Sequence, residues 1–251
     1  MVYILAGIEQ NAIASKWQYY GSSGVFNGNN NATMNGATIK TFSCPSSTLP
    51  TGPSPRNASA CLANYVGVAG ATNGLIPSYT ETRISALPSG GLVGGGGMLF
   101  PNGKINFGGV TDGLSNTLLI SEQSNFLKDT AGVKQDWRAT QPWGFSLGVK
   151  GQGVPPAFDN AGGDNRSPGM CTVRYAINQT PAGGWANDVA GTGVGINGNN
   201  TGSNIPLNST HTGGVNVALG DGSIRFLTDS TALAILAAVA TRDDGTVSNL
   251  P

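Results

Sequence analysis

This chain has little charge. Lysine and arginine total 13, aspartate and glutamate total 13, and together they make up 10% of 251 residues. The net charge is zero, so the basic footprint that nucleic-acid binding needs is missing. Charge repulsion cannot keep such a surface soluble either, and neutral polar side chains must take that role. Histidine occurs once, at His211. A single imidazole leaves a nucleophile no choice of base, and no serine sits in a G-x-S-x-G setting. The P-loop pattern is absent, and the glycine run at 94–97 lacks the strand-to-helix context of a nucleotide loop. These absences argue against an enzyme. No apolar run approaches the roughly 20 residues that a membrane span requires. The stretch from Val2 to Ile8 is apolar but short, and no basic segment precedes it, so it reads poorly as a signal peptide.

What the chain does have is glycine, 39 residues of it, with 14 prolines and abundant Asn, Ser and Thr. A chain of this length can bury one sizeable core, so residues 1–251 read as a single domain. Residues 2–17 place Val2, Leu5, Ile8, Ala12 and Ile13 at helical spacing. Residues 21–37, 45–60, 150–170 and 182–207 are polar, rich in Gly, Pro or Asn, and read as long loops. Short strands are expected at 62–69, 75–80, 117–122 and 171–177, with a hairpin about Pro101-Asn102-Gly103. Glu122 closes the most apolar of these strands, where a nearby donor is expected to hold it. A closing helix over 231–241 has Asp229 or Ser230 as its cap and Leu233, Leu236, Ala237 and Ala240 as its buried stripe.

The strongest local signal lies between His211 and Phe226. Val215, Val217 and Leu219 alternate with Asn216 and Ala218, and Ile224 and Phe226 resume the alternation after Gly220-Asp221-Gly222-Ser223. A two-residue turn at Asp221-Gly222 would set Leu219 opposite Ile224 and Val217 opposite Phe226. His211 and Asp221 tempt a catalytic reading. The intervening strand would hold them on the order of 30 Å apart, and a dyad needs roughly 3 Å. The structural reading is preferred: Asp221 and Gly222 build the turn, and His211 anchors the strand's entry.

The spacing His211, nine residues, Asp221-Gly222 resembles the H-X9-DG motif of type IV pilin-like and pseudopilin-like proteins, abundant in planctomycetes, that share a domain of unknown function. Other pieces resemble that family in the same order. They are Ile4 to Gln10, Phe42-Ser43-Cys44-Pro45-Ser46, Asn64 to Gly70, Thr111-Asp112-Gly113-Leu114-Ser115-Asn116-Thr117, and the tail from Ala234 to Arg242. Such proteins ordinarily open with a basic leader and a long apolar helix. The resemblance begins here at the segment that follows that helix. It implies an α+β fold, mainly an antiparallel pilin-like sheet with short N- and C-terminal helices. It also implies a structural subunit of an extracellular filament or of a surface or secretion assembly, with copies of itself or other pilin-like subunits as partners. Contacts are then expected through Val2–Ile8 and the C-terminal helix, the most apolar terminal pieces. The alternative is a monomeric extracellular module that binds glycans or protein, with Trp137, Trp143 and Trp185 as stacking candidates, or else as core aromatics.

An exported chain with three cysteines suggests one disulfide and one odd thiol. Cys44–Cys61 is the preferred pair, since it closes a short loop for a gain of roughly 3 kcal/mol, and two other pairings are open. No metal-ligand spacing joins the cysteines to His211, and no resident metal is expected. Calcium is the one cation to weigh, at Asp112, Ser115 and Asn116 or at Asp159, Asn160, Asp164 and Asn165, where Asx-turns explain the same residues. Covalent glycan is expected in the polar loops, with Asn31, Asn57, Asn199 and Asn208 as candidates.

Overall fold

The computed structural model describes residues 1–22, 24–54, 56–88, 90–159, 168–198 and 200–247. Five strands form its central sheet: β1 Tyr65–Ala71, β2 Leu118–Glu122, β3 Met170–Val173, β4 Gly214–Leu219 and β5 Ile224–Thr228. Their order is β5-β4-β2-β1-β3. Neighbours run antiparallel except β1 and β3, which are parallel. Two-stranded ribbons, such as Ile84–Leu87 with Gly91–Gly94, surround the sheet. The helices are short: α1 Asn11–Ala14, α2 Gly28–Met34 and α3 Leu233–Ala240. The fold is α+β and mainly antiparallel, with no closed barrel among the described residues.

The inner face of the sheet makes the main core. Val66 and Val68 of β1, Val215 and Val217 of β4, and Leu227 of β5 pack there with Leu236 to Ala240 of α3. Leu and Ala are strong helix formers, and the small alanines let α3 lie close to the strands. Each fully buried Leu or Val contributes on the order of 1.5–3 kcal/mol. No side chain caps α3, whose N-cap is Ala232. Its buried surface is also wider than the expected stripe, because Ala238 and Val239 are covered as well. One side of the C-terminal helix is therefore spent on the chain's own core, while Ile235 on its other side stays exposed.

The β4–β5 hairpin departs from the sequence reading by one residue. Val217 lies opposite Arg225, and Ala218 opposite Ile224. The loop has three residues, not two. Gly222 donates its N–H to the Leu219 carbonyl, Leu219 donates to the Ser223 carbonyl, and Gly222 has φ +85°. That is a turn followed by a left-handed residue, where glycine is the least strained choice. A one-residue shift exchanges the two faces of a strand. Leu227 is consequently buried, while Ile224 and Phe226 lie on the outer face, 64% and 40% exposed.

Other segments depart from the expectation as well. Within 21–37, expected as loop, Asn27 caps α2 by accepting the N–H groups of Asn29 and Asn30. The Asn30 amide then bonds both the N–H and the carbonyl of Gln18. Residues 75–80 and 98–107 contain no strand. The glycine run at 94–97 packs backbone against backbone. A Cβ on Gly97 would meet the Gly70 nitrogen at 2.4 Å. Arg242 completes that contact: its backbone N–H donates to Gly96, and its guanidinium donates to the carbonyls of Gly95 and Gly97.

Candidate functional site

Three reactive side chains from distant parts of the chain meet at one end of the central sheet: Cys44, Glu122 and His211. Glu122 is the last residue of β2, where the strand's alternation turns it to the outer face beside Tyr65 and Asn216. Its side chain is only 2% exposed. One carboxylate oxygen accepts the backbone N–H of Asn216 at 2.8 Å. The other lies 3.3 Å from His211 Nε2. The strand-end donor expected for Glu122 is thus the backbone of the neighbouring strand.

Cys44 arrives on the loop after Phe42. The buried Asn64 accepts the Cys44 N–H through its Oδ1 at 3.0 Å. Ser47 Oγ donates to the Ser124 carbonyl at 2.6 Å, and Thr210 Oγ1 donates to the Ser46 carbonyl at 2.6 Å. These bonds bind the cysteine loop to both the β2 end and the His211 loop. His211 in turn donates its N–H to Ser209 Oγ, which donates to the Gly214 carbonyl at the start of β4. Cys44 Sγ then sits 3.6 Å from His211 Nε2.

The electrostatics follow from the burial. Desolvation pushes the Cys44 thiol above its ordinary pKa, and the Glu122 carboxylate adds to the rise. The Tyr65 phenol is raised for the same reason, with further contributions from Cys44 and Glu122. The thiol and the carboxylate both address Nε2 of the one imidazole. A nucleophile–base–orienter relay needs them on opposite ring nitrogens. The arrangement converges three different donor atoms on one point.

A shallow furrow adjoins the cluster along the outer face of the sheet. Tyr65, Ile120, Asn216, Ala218 and Ile224 line a cavity of about 390 Å³ beside Cys44, Glu122 and His211. Across Ile120 a second cavity of about 290 Å³ continues to Gly67, Leu99, Met170 and the N-terminal Met1, Val2 and Tyr3. No helix of the described residues is long and apolar enough to cross a membrane.

Residues 1–234 match the family described as "Protein of unknown function (DUF1559)". The chain belongs to that family. Neither the curated proteins nor the solved structures gave a match.

The remaining expected positions of this DUF1559 chain fall elsewhere. Asp221 is not a partner of His211. Its carboxylate accepts the Ser223 N–H and hydroxyl within the hairpin loop. Asp112 accepts the N–H groups of Asp244 and Gly245 on its two oxygens, so both are already used in fastening the C-terminal segment. Gly113 has φ +96° at the turn behind it. The second calcium candidate lies largely outside the described residues, since only Asp159 of its four positions is among them. The Cys44–Cys61 disulfide is not formed, and Cys44, Cys61 and Cys171 are all free and buried. Cys61 belongs to the cluster around Leu5, Trp17 and Phe42, and the Cys44 sulfur faces His211.

Of the glycan candidates, Asn208 is 3% exposed, with its amide bonded to Pro206 and Asn125, so a sugar there would require local opening. Asn31 lies in α2 and donates to the Val25 carbonyl. Asn57 is half-buried at a strand start, and Asn199 lies outside the described residues. Trp137 and Trp185 are core residues of one cluster, which leaves Trp143 half-buried against Phe26.

Sequence reasoning singled out all three members of the cluster without joining them. From sequence alone Cys44 reads as a disulfide partner, His211 as the anchor of a strand's entry and Glu122 as a strand end. The signal available was an acidic residue ending an apolar strand, where an uncompensated charge is costly.

Proposed function

We propose that this chain is a structural subunit of an extracellular filament or of a pseudopilin-like surface or secretion assembly. Its neighbours would be copies of itself or sibling subunits. The single observation that carries this reading is the uncovered outer face of the central sheet. Ile224, Phe226 and Leu99 are 64%, 40% and 39% exposed on or beside that face. They adjoin a furrow that reaches the exposed Tyr3 near the N-terminus. An apolar face rimmed by polar residues is where a soluble chain meets a partner. Strand β5 is an edge of the same sheet, and among the described residues its outer side pairs with nothing. The ordered motif resemblance along the chain supports the same reading, as do the low charge content and zero net charge. Glycan on polar loops belongs to this proposal, with Asn57 the best-placed of the described candidates.

The test is sedimentation and negative-stain imaging of the protein from its native source. Filaments, or particles of several subunits, are expected outside the cytoplasm. A cytoplasmic monomer at all concentrations would overturn the proposal. Intact mass on the same material tests the glycan: a mass equal to the bare polypeptide ends that part of it.

A further inference from the structure

We propose that Cys44, Glu122 and His211 form a three-ligand site for a divalent transition-metal ion, zinc by preference. Such a site does not depend on whether the chain assembles.

The first support is distance. A tetrahedral zinc ion with bonds of about 2.3 Å to sulfur and about 2.0–2.2 Å to nitrogen and oxygen holds its ligand atoms roughly 3.3–3.6 Å apart. Here sulfur to nitrogen is 3.6 Å, nitrogen to oxygen is 3.3 Å, and all three atoms lie within 4.8 Å of one another. An ion could enter between them with little rearrangement.

The second support is the sharing of one ring nitrogen. If the cluster were a hydrogen-bond relay, the thiol and the carboxylate would divide the two nitrogens of the imidazole. Both face Nε2. That nitrogen carries one proton or one lone pair, so it serves one neighbour at a time, and the thiol's other hydrogen-bonding partner is the Glu122 carboxylate itself. A cation at the centre satisfies all three donors together.

The third support is the scaffold behind the ligands. The free carboxylate oxygen of Glu122 is fixed by the Asn216 N–H, which is the kind of outer contact that orients metal-binding carboxylates. Asn64 fixes the Cys44 backbone, and Ser209 fixes that of His211. The three residues come from three separate segments, so one ion would tie the cysteine loop and the histidine loop to the end of β2.

Ligand chemistry sets the metal class. One thiolate, one imidazole and one carboxylate suit zinc and its neighbours in the first transition row, whereas calcium and magnesium take oxygen ligands alone. Three protein ligands leave a fourth position, which the adjoining cavity of about 390 Å³ can fill with water.

Cobalt(II) is the probe. The reduced full-length chain is stripped of metal by a chelator and titrated with cobalt(II), then with zinc. The expected result is saturation at one equivalent, with a thiolate-to-cobalt charge-transfer band and tetrahedral ligand-field bands that zinc abolishes. Cys44→Ser is expected to lose the charge-transfer band, and Cys61→Ser to keep it. Glu122→Gln is expected to weaken cobalt binding while keeping the band. X-ray absorption at the zinc edge of the unmodified protein reads the same question without any variant, and one sulfur with nitrogen and oxygen neighbours is expected. No thiolate band in the unmodified chain, a band that survives Cys44→Ser, or a zinc shell free of sulfur would each overturn the proposal.

Discussion

The two faces of the central sheet are made by the same strands and meet opposite fates. On the inner face, Val66, Val68, Val215, Val217 and Leu227 are sealed beneath α3. On the outer face, Ile120, Ala218 and Ile224 line an open furrow, and Glu122 ends the row under His211 and Cys44. Side chains alternate across a strand, so a single register decides which residue belongs to which face. The three-residue hairpin loop makes that decision for β5: it buries Leu227 and exposes Ile224. The difference teaches where stability and interaction reside. The inner face supplies cohesion, and the outer face holds the groups that a fold alone does not need.

The comparison breaks first at Leu236, fully buried at the centre of the inner core. Leu236→Ala is expected to cost about 2–5 kcal/mol, read from the urea midpoint, because the cavity left beneath α3 closes only partly. It is not expected to change cobalt binding at Cys44. A smaller and opposite effect is expected at Ser121, an inner-face residue between Val66 and Val217 whose buried hydroxyl has no hydrogen-bond partner. Ser121→Ala should raise stability by about 1 kcal/mol, since an unsatisfied buried hydroxyl carries a penalty of that order. A loss in that variant would mean the hydroxyl has a partner.

On the outer face, Ile224→Asn should leave stability within about 0.5 kcal/mol of the parent, as exposed substitutions do. The same change should weaken self-association in sedimentation, and an unchanged association state would remove Ile224 from the interface. The least effect is expected at Asp221. Its carboxyl is held below the usual carboxylate range by the Ser223 hydroxyl and N–H. A depressed folded value means its small contribution is present above the ordinary Asp value and lost as pH falls through the folded one. Asp221→Asn should remove that slope from an acid titration of stability, and an unchanged slope would assign it to other carboxylates.

How much of this was legible beforehand differs between the faces. Strands β2, β4 and β5 and helix α3 follow from local patterns of apolar residues, and the sequence places them closely. The hairpin register does not, because Gly220-Asp221-Gly222-Ser223 suits both a two-residue and a three-residue loop. Helix α2 escaped because its seven residues hold few apolar ones, and its support comes from Asn27 and from Asn30 on Gln18. The metal-ligand cluster escaped for a related reason. Cys44 and His211 are 167 residues apart, and no periodicity links them. Only the tertiary course of two loops, fastened by Asn64, Ser47 and Thr210, brings them to one carboxylate.

The grip of Arg242 on the glycine run has a consequence in time. The carbonyls of Gly95, Gly96 and Gly97 have their donors some 145 residues further along the chain. A growing polypeptide makes β1 and the ribbon at 84–94 early, but the carbonyls of the run that follows wait for Arg242 to emerge. Slow, long-range closure of this kind is the ordinary cost of a fold built on distant contacts. The contact that seals this early part of the molecule therefore forms only after Arg242 has been made. A chain cut short before Arg242 should present three orphaned carbonyls at Gly95, Gly96 and Gly97 and be cleaved more readily by proteases.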